Sequence, residues 1–248
     1  MNKLKLITLF LLLSTYAFGI QFLGVEIETG VAWSGYNDIK IPGKGGTEFS
    51  FSEELSTDLS TPSRLRFMFK IGEKSSLIFL YAPLELKASG HLNKDLFFFE
   101  ETFPAGTELE GTYKFNSYRI TYVYDWKFGP KYSVSIGFTA KVRDAAIKIE
   151  SKDGILKSEK TNVGFVPILY FKYEYFFNEN FGFLLEGDAL AAPQGRAEDI
   201  FIGGTLRDLG YRTPIRLKLG YRILEGGADN EEVYNFTLIN FIVLGITF

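Results

Sequence analysis

Residues 233–248 read Val-Tyr-Asn-Phe-Thr-Leu-Ile-Asn-Phe-Ile-Val-Leu-Gly-Ile-Thr-Phe. Counted back in twos from Phe248, one face carries Ile246, Leu244, Ile242, Asn240, Leu238, Phe236 and Tyr234. The other carries Thr247, Gly245, Val243, Phe241, Ile239, Thr237 and Asn235. One face is apolar apart from Asn240 and has aromatics near both ends; the other is mixed. Alternation of this period is that of a strand. An apolar face with aromatics at its two ends suits a wall with lipid outside and a polar interior. A strand in lipid must pair all its backbone groups, which for sheet means a closed barrel.

The rest of the composition agrees with that wall. The chain has 248 residues, with 25 Phe, 14 Tyr and 25 Gly. Beyond the first twenty positions no stretch approaches the roughly 20 apolar residues that a spanning helix needs. There is no Cys, which excludes disulfides, thiolate metal sites and a lipidated N-terminal Cys. Residues 1–19 have the form of a secretory leader: Lys3 and Lys5, an apolar run from Leu6 to Leu13, then the small residues Ala17 and Gly19. Cleavage after Gly19 leaves 20–248 as a single barrel domain with 25 bases against 30 acids. That balance argues against nucleic acid as a partner.

Alternation predicts ten strands, over 22–35, 63–71, 76–90, 111–124, 132–149, 161–175, 181–190, 197–207, 213–224 and 233–248. The eighth is the weakest, because Gly203 and Gly204 are adjacent. Pro167 in the sixth cannot donate a ladder hydrogen bond, so an irregularity is expected there. Eight strands is the alternative count. Ten leaves short turns at 72–75, 125–131, 177–180 and 208–212, and connections at 36–62, 91–110, 150–160, 191–196 and 225–232 that are longer on average. Bacterial barrels have even strand numbers, short periplasmic turns and longer extracellular loops. The predicted fold is thus an all-β, antiparallel, up-and-down transmembrane barrel in the outer membrane of a Gram-negative-type cell. Outer-membrane lipid and lipopolysaccharide are its expected surroundings.

Charged residues cannot face lipid, so the same alternation assigns them to a lumen. The predicted lumenal network has the acids Glu26, Glu28, Glu85, Glu174, Glu186 and Asp188. Its bases are Arg64, Arg66, Lys70, Lys87, Arg119, Lys141, Arg143, Lys172, Arg216, Lys218 and Arg222. Such charges can fill a narrow barrel as ion pairs. Alternatively, the excess of bases can line a narrow pore that favours small anions.

Neither catalytic nor metal chemistry has strong support. The sole His, His91, has Ser89 two residues before it on the same strand face. A rim serine hydrolase would need such a pair with a carboxylate; a solvent-exposed rim His is the simpler reading, and no enzyme is expected. Two acid groups, Glu53, Glu54 and Asp58, and Asp229, Glu231 and Glu232, lack the ligand spacing of an EF-hand loop. No cofactor or metal is expected. Phe97-Phe98-Phe99 is either a contact patch, a strand extension or a cover for the barrel mouth.

Two stretches carry a family resemblance: Ala191-Ala192-Pro193-Gln194-Gly195-Arg196-Ala197-Glu198-Asp199, and Gly220-Tyr221-Arg222-Ile223-Leu224-Glu225-Gly226-Gly227-Ala228-Asp229-Asn230-Glu231-Glu232-Val233-Tyr234-Asn235-Phe236. They resemble a family of uncharacterised bacterial outer-membrane β-barrel proteins. Phe248 likewise resembles the C-terminal signature that the barrel assembly machinery reads. The resemblance implies the fold and supplies no functional residues. The expected role is a structural barrel or narrow passive channel. The alternative is surface adhesion or ligand binding through 36–62 and 91–110.

Overall fold

The computed structural model describes residues 19–192, 195–207, 209 and 214–248. The expected leader lies outside these residues apart from Gly19, and so does Thr213, the expected start of the ninth strand. Ten staves form the wall: β1 Gln21–Lys40, β2 Ser63–Lys70, β3 in two pieces (Ser75–Ala82 and Glu85–His91), β4 Glu108–Phe128, β5 Tyr132–Ser151, β6 Lys157–Phe176, β7 Phe181–Ala192, β8 Gly195–Leu206, β9 Arg216–Asp229 and β10 Tyr234–Thr247. Each pairs antiparallel with the next, and β10 pairs with β1, which closes the barrel. A circuit of paired residues starting at Phe22 passes Phe69, Leu77, Tyr122, Phe138, Leu169, Ala189, Glu198, Glu225 and Leu238. It returns to β1 at Tyr36, well above its start. This stagger is the tilt that a closed barrel requires.

The doubtful eighth strand is regular, with every residue from Gly195 to Leu206 paired on both sides. Its glycines have a packing reason. Gly203 lies opposite Gly220 of β9, and the buried Phe201 ring covers both. A Cβ on Gly203 would stand 2.7 Å from Phe201 Cζ, and one on Gly220 would stand 2.8 Å from the same atom. The ring thus replaces the side chains that the glycines lack.

Asn240, the polar exception on the lipid face, accepts a hydrogen bond from the Tyr221 hydroxyl. The neighbouring strand makes room for it with a bulge at Gly35, where a Cβ would lie 2.8 Å from Asn240 Nδ2. Pro167 also leaves its mark. The β6–β7 ladder stops at Leu169–Ala189, two residues short of it, while on its other edge β6 stays paired with β5 up to Glu150–Lys157. Above Leu169, among the described residues, 157–168 has no ladder partner on its β7 side.

The polarity of the wall inverts along its height. In the half nearer the short turns, Ile27, Phe67, Phe79, Ile120, Tyr122, Ile136, Phe138, Leu169, Leu219, Ile242 and Leu244 are exposed on the exterior, while charged residues are buried inside. Tyr81 and Tyr118, stacked at 5.2 Å, mark the upper limit of that belt on one side. Above them the exterior carries Lys114, which pairs with Asp144 at 2.9 Å, and the interior becomes apolar. There Leu84, Leu86, Ala88, Leu109, Ile147 and Ile149 pack against Phe49, Phe51, Leu55, Leu96, Phe98 and Phe103 from the two long connections. This is the arrangement of a water-soluble domain built on top of a membrane barrel.

The inversion corrects two assignments. Glu85 and Lys87 are not lumenal: they are exposed on the outer face, and the alternating Leu84, Leu86 and Ala88 fill the interior. Outside that part of the wall is water, so charge belongs there. Several strands also run further than predicted, to Lys40 in β1 and Ser151 in β5, so that among the described residues the short upper connections beside the two long ones are 152–156 and 230–233. Phe98 lies in the core and Phe97 is partly exposed, so this segment covers the mouth as one arm of a small hairpin, Leu96–Phe98 with Glu101–Phe103.

The glycine pair gives a direct check. Gly203→Ala or Gly220→Ala should destabilise the folded barrel by about 1–3 kcal/mol, because the added Cβ would crowd Leu219 O at 2.3 Å or Ile202 O at 2.2 Å as well as the Phe201 ring. Gly204→Ala, whose Cβ would meet Phe181 at an ordinary 3.4 Å, should change stability little. Urea unfolding in detergent micelles measures the difference.

Candidate functional site

Strand alternation brings ten charged side chains to the waist of the lumen. Glu26 and Glu28 come from β1, Arg64 and Arg66 from β2, Arg119 from β4, Glu186 and Asp188 from β7, Asp199 from β8, and Lys218 and Arg222 from β9. All are buried. Glu28 accepts from Lys218 Nζ at 2.6 Å and from Arg222 Nη2 at 2.9 Å, with Arg64 Nε 3.4 Å away. Asp199 sits among three guanidiniums: Arg222 Nη1 at 2.6 Å, Arg119 Nη2 at 2.6 Å and Arg64 Nη1 at 2.9 Å. Arg66 joins Glu26 at 3.0 Å to Glu186 at 2.9 Å, and Glu186 also accepts from the Tyr170 hydroxyl at 2.8 Å. Asp188 is held by Arg119 at 2.7 Å and Thr139 Oγ1 at 2.5 Å.

Among the described residues, five carboxylates thus meet five cations across the lumen. The Arg64–Asp199 contact ties β2 to β8, and the Arg66–Glu186 contact ties β2 to β7. Charges enclosed by a lipid-facing wall have a large desolvation cost, and mutual pairing is what offsets it. Their side chains reach one another in the lumen, as expected in a narrow barrel.

The predicted residues divide as follows. Glu26, Glu28, Arg64, Arg66, Arg119, Glu186, Asp188, Lys218 and Arg222 join this waist. Glu174 lies lower, with Arg216 at 3.2 Å and Lys172 at 3.5 Å. Lys70 is half-buried near the short turns. Lys141 and Arg143 face inward but join no carboxylate. Glu85 and Lys87 are outside. Asp199 is the residue that sequence reasoning missed; it alternates with the outward Ile200 and Ile202, so the signal was present in the pattern. With Asp199 gained and Glu85 and Lys87 lost, six acids face ten bases in the lumen, and the remaining basic excess lies outside the waist.

Below the waist a cavity of about 310 Å³ opens toward the short turns, bounded by Glu26, Arg66, Glu186, Lys218, Met68 and Tyr170 among others. Above it lies the apolar core. Phe248 is exposed, and its backbone pairs with Val25 at 2.9 and 3.1 Å. His91 and Ser89 lie exposed on the outer face, and His91 Nδ1 is 3.7 Å from Glu108 Oε1. Glu54, one of the loop acids, pairs with Lys94 at 2.7 Å.

A closed ten-stranded barrel with a lipid-facing belt, an inward charge network and short turns at one end is an outer-membrane barrel. Solved structures show the following similarities. The outer-membrane protease OmpT from Escherichia coli aligns over 92% of this chain and 98% of its own, at 8% identity and a TM-score of 0.50. Ail, the attachment invasion locus protein of Yersinia pestis, aligns over 90% and 97%, at 10% identity and a TM-score of 0.39. OprG from Pseudomonas aeruginosa aligns over 91% and 95%, at 12% identity and a TM-score of 0.36. At these identities the likeness concerns architecture alone. No family model and no curated protein matches the sequence.

Asp199→Ala should leave three buried arginines short of a counter-charge and destabilise the barrel by about 3–5 kcal/mol. Asp144→Asn, which breaks the half-exposed exterior pair with Lys114, should stay within about 1 kcal/mol. Unfolding curves of the two variants side by side measure the contrast.

Proposed function

We propose that the chain is a structural, non-conducting outer-membrane barrel that holds an ordered extracellular cap, and that the outer surface of this cap is where it meets other molecules. The observation that carries this reading is a double closure. The waist is filled by five carboxylates and five cations in mutual contact, and the extracellular half is filled by the apolar core under the two long connections. The anion-channel reading needs unpaired cations lining a passage. The five-to-five pairing at the waist weighs against it.

The adhesion or ligand-binding alternative fits the same architecture. The segments 36–62 and 91–110 are held in place by Phe49, Phe51, Phe98 and Phe103. A surface anchored in this way presents fixed positions to a partner and loses little entropy on binding. The reading includes no catalytic step. It places lipopolysaccharide against the polar exterior above Tyr81 and Tyr118, and the assembly machinery at the Phe248 end.

Reconstitution of the folded full chain in planar bilayers tests the closed lumen. The expected result is no conductance steps beyond those of the lipid alone. Steady, anion-selective steps would contradict the proposal and restore the channel.

A further inference from the structure

Two lumenal cations stand apart from the balanced waist. Lys141 is 3% exposed, yet among the described residues no carboxylate lies within ion-pair distance of it. Its Nζ lies 4.9 Å from the Phe115 ring centroid. Along the ladders it sits between Arg119 on β4 and Val166 on β6. The nearest acids, Asp188 and Asp199, are already held by Arg119, Arg64 and Arg222. Arg143, two residues further up the same face, hydrogen-bonds through Nη2 to Asn162 Oδ1 at 2.6 Å, and its Nε is buried without a partner. A buried cation without a counter-charge is costly unless it gives up its proton or an anion joins it. Lys141 and the half-buried Arg143 together have the donor chemistry of an anion site.

Among the described residues, no ladder pair joins β6 to β7 beside it. Arg143 pairs in register with Gly164 and Ala145 with Asn162, both on the stretch of β6 that lies above the end of the β6–β7 ladder. Gly164 has no side chain to obstruct the approach to Arg143, and Asn162 is exposed although it faces inward. The exposed Phe165 and Leu169 on the outer face of the same strand place this stretch at the upper border of the apolar belt. An anionic group at the outer-leaflet surface stands at that level.

We propose that Lys141 and Arg143 form a site for a phosphate-class anion, entered sideways between β6 and β7 above the end of their ladder. Arg143 offers a planar fork of donors and Lys141 a point charge, a combination suited to a tetrahedral oxyanion. Asn162 positions the guanidinium at the entrance. The phosphate can belong to a lipid headgroup or be free in solution.

The test uses the folded full chain in neutral detergent micelles, titrated in one arm with inorganic phosphate and in the other with phosphatidic acid, with phosphatidylcholine as the uncharged control. The wild type should bind in at least one arm and gain thermal stability with ligand. Binding of phosphatidic acid alone assigns a lipid headgroup; comparable binding of inorganic phosphate assigns a free ion. The Lys141→Met/Arg143→Gln variant should bind at least tenfold more weakly, and Lys141→Arg should retain binding. Lys141→Met alone, which removes an uncompensated charge, should be at least as stable as the wild type without ligand, and this confirms that the fold is intact. Absence of binding in both arms, or equal binding by the double variant, would overturn the proposal.

Discussion

The contact of Glu28 and Asp199 with Arg222 is the constraint on which the rest depends. Arg222 reaches Asp199 with one terminal nitrogen at 2.6 Å and Glu28 with the other at 2.9 Å. Those two carboxylates then gather Arg64, Arg119 and Lys218. Once charges are enclosed by lipid-facing strands, each needs an opposite partner. Some partners sit on the adjacent strand, as in Arg66–Glu26, and others come from across the lumen, as in Arg64–Asp199 and Arg66–Glu186. The network therefore holds the barrel cross-section. Strand register is bound to it as well, because a one-residue slip would turn a strand's charges into lipid.

Above the waist the same wall solves the opposite problem. Its outer surface meets water, so Glu85, Lys87, Lys114 and Asp144 lie outside and leucines lie inside. One continuous strand such as β4 thus serves as a membrane stave below and as a sheet of a soluble-type core above. Its alternation never breaks; only the medium outside changes.

That continuity explains what could be read from the residues alone. Period-two alternation revealed all ten staves, and in the belt it assigned the faces correctly, as Ile27 with Glu28 and Ile120 with Arg119 illustrate. It does not say where lipid ends. Glu85 and Lys87 were therefore sent inward by a rule that holds only within the membrane. Asp199 was legible by parity but hidden among glycines and apolar residues. Asn240 was legible as an exception, while its Tyr221 partner and the bulge at Gly35 depend on a pairing between strands distant in sequence. The cap was the least legible part. Phe49, Phe51, Phe98 and Phe103 meet only after two long connections fold over the mouth, and no local period records such contacts.

The closed waist is tested most directly by side-specific labelling. The chain has no Cys, so a single Met68→Cys substitution places one thiol in the cavity below the charge network, where Met68 is part of the lining. In vesicles of known orientation, a membrane-impermeant thiol reagent should label it from the periplasmic side alone. Equal labelling from the extracellular side would contradict the account, because the reagent would have passed through both the apolar core and the ion-paired waist.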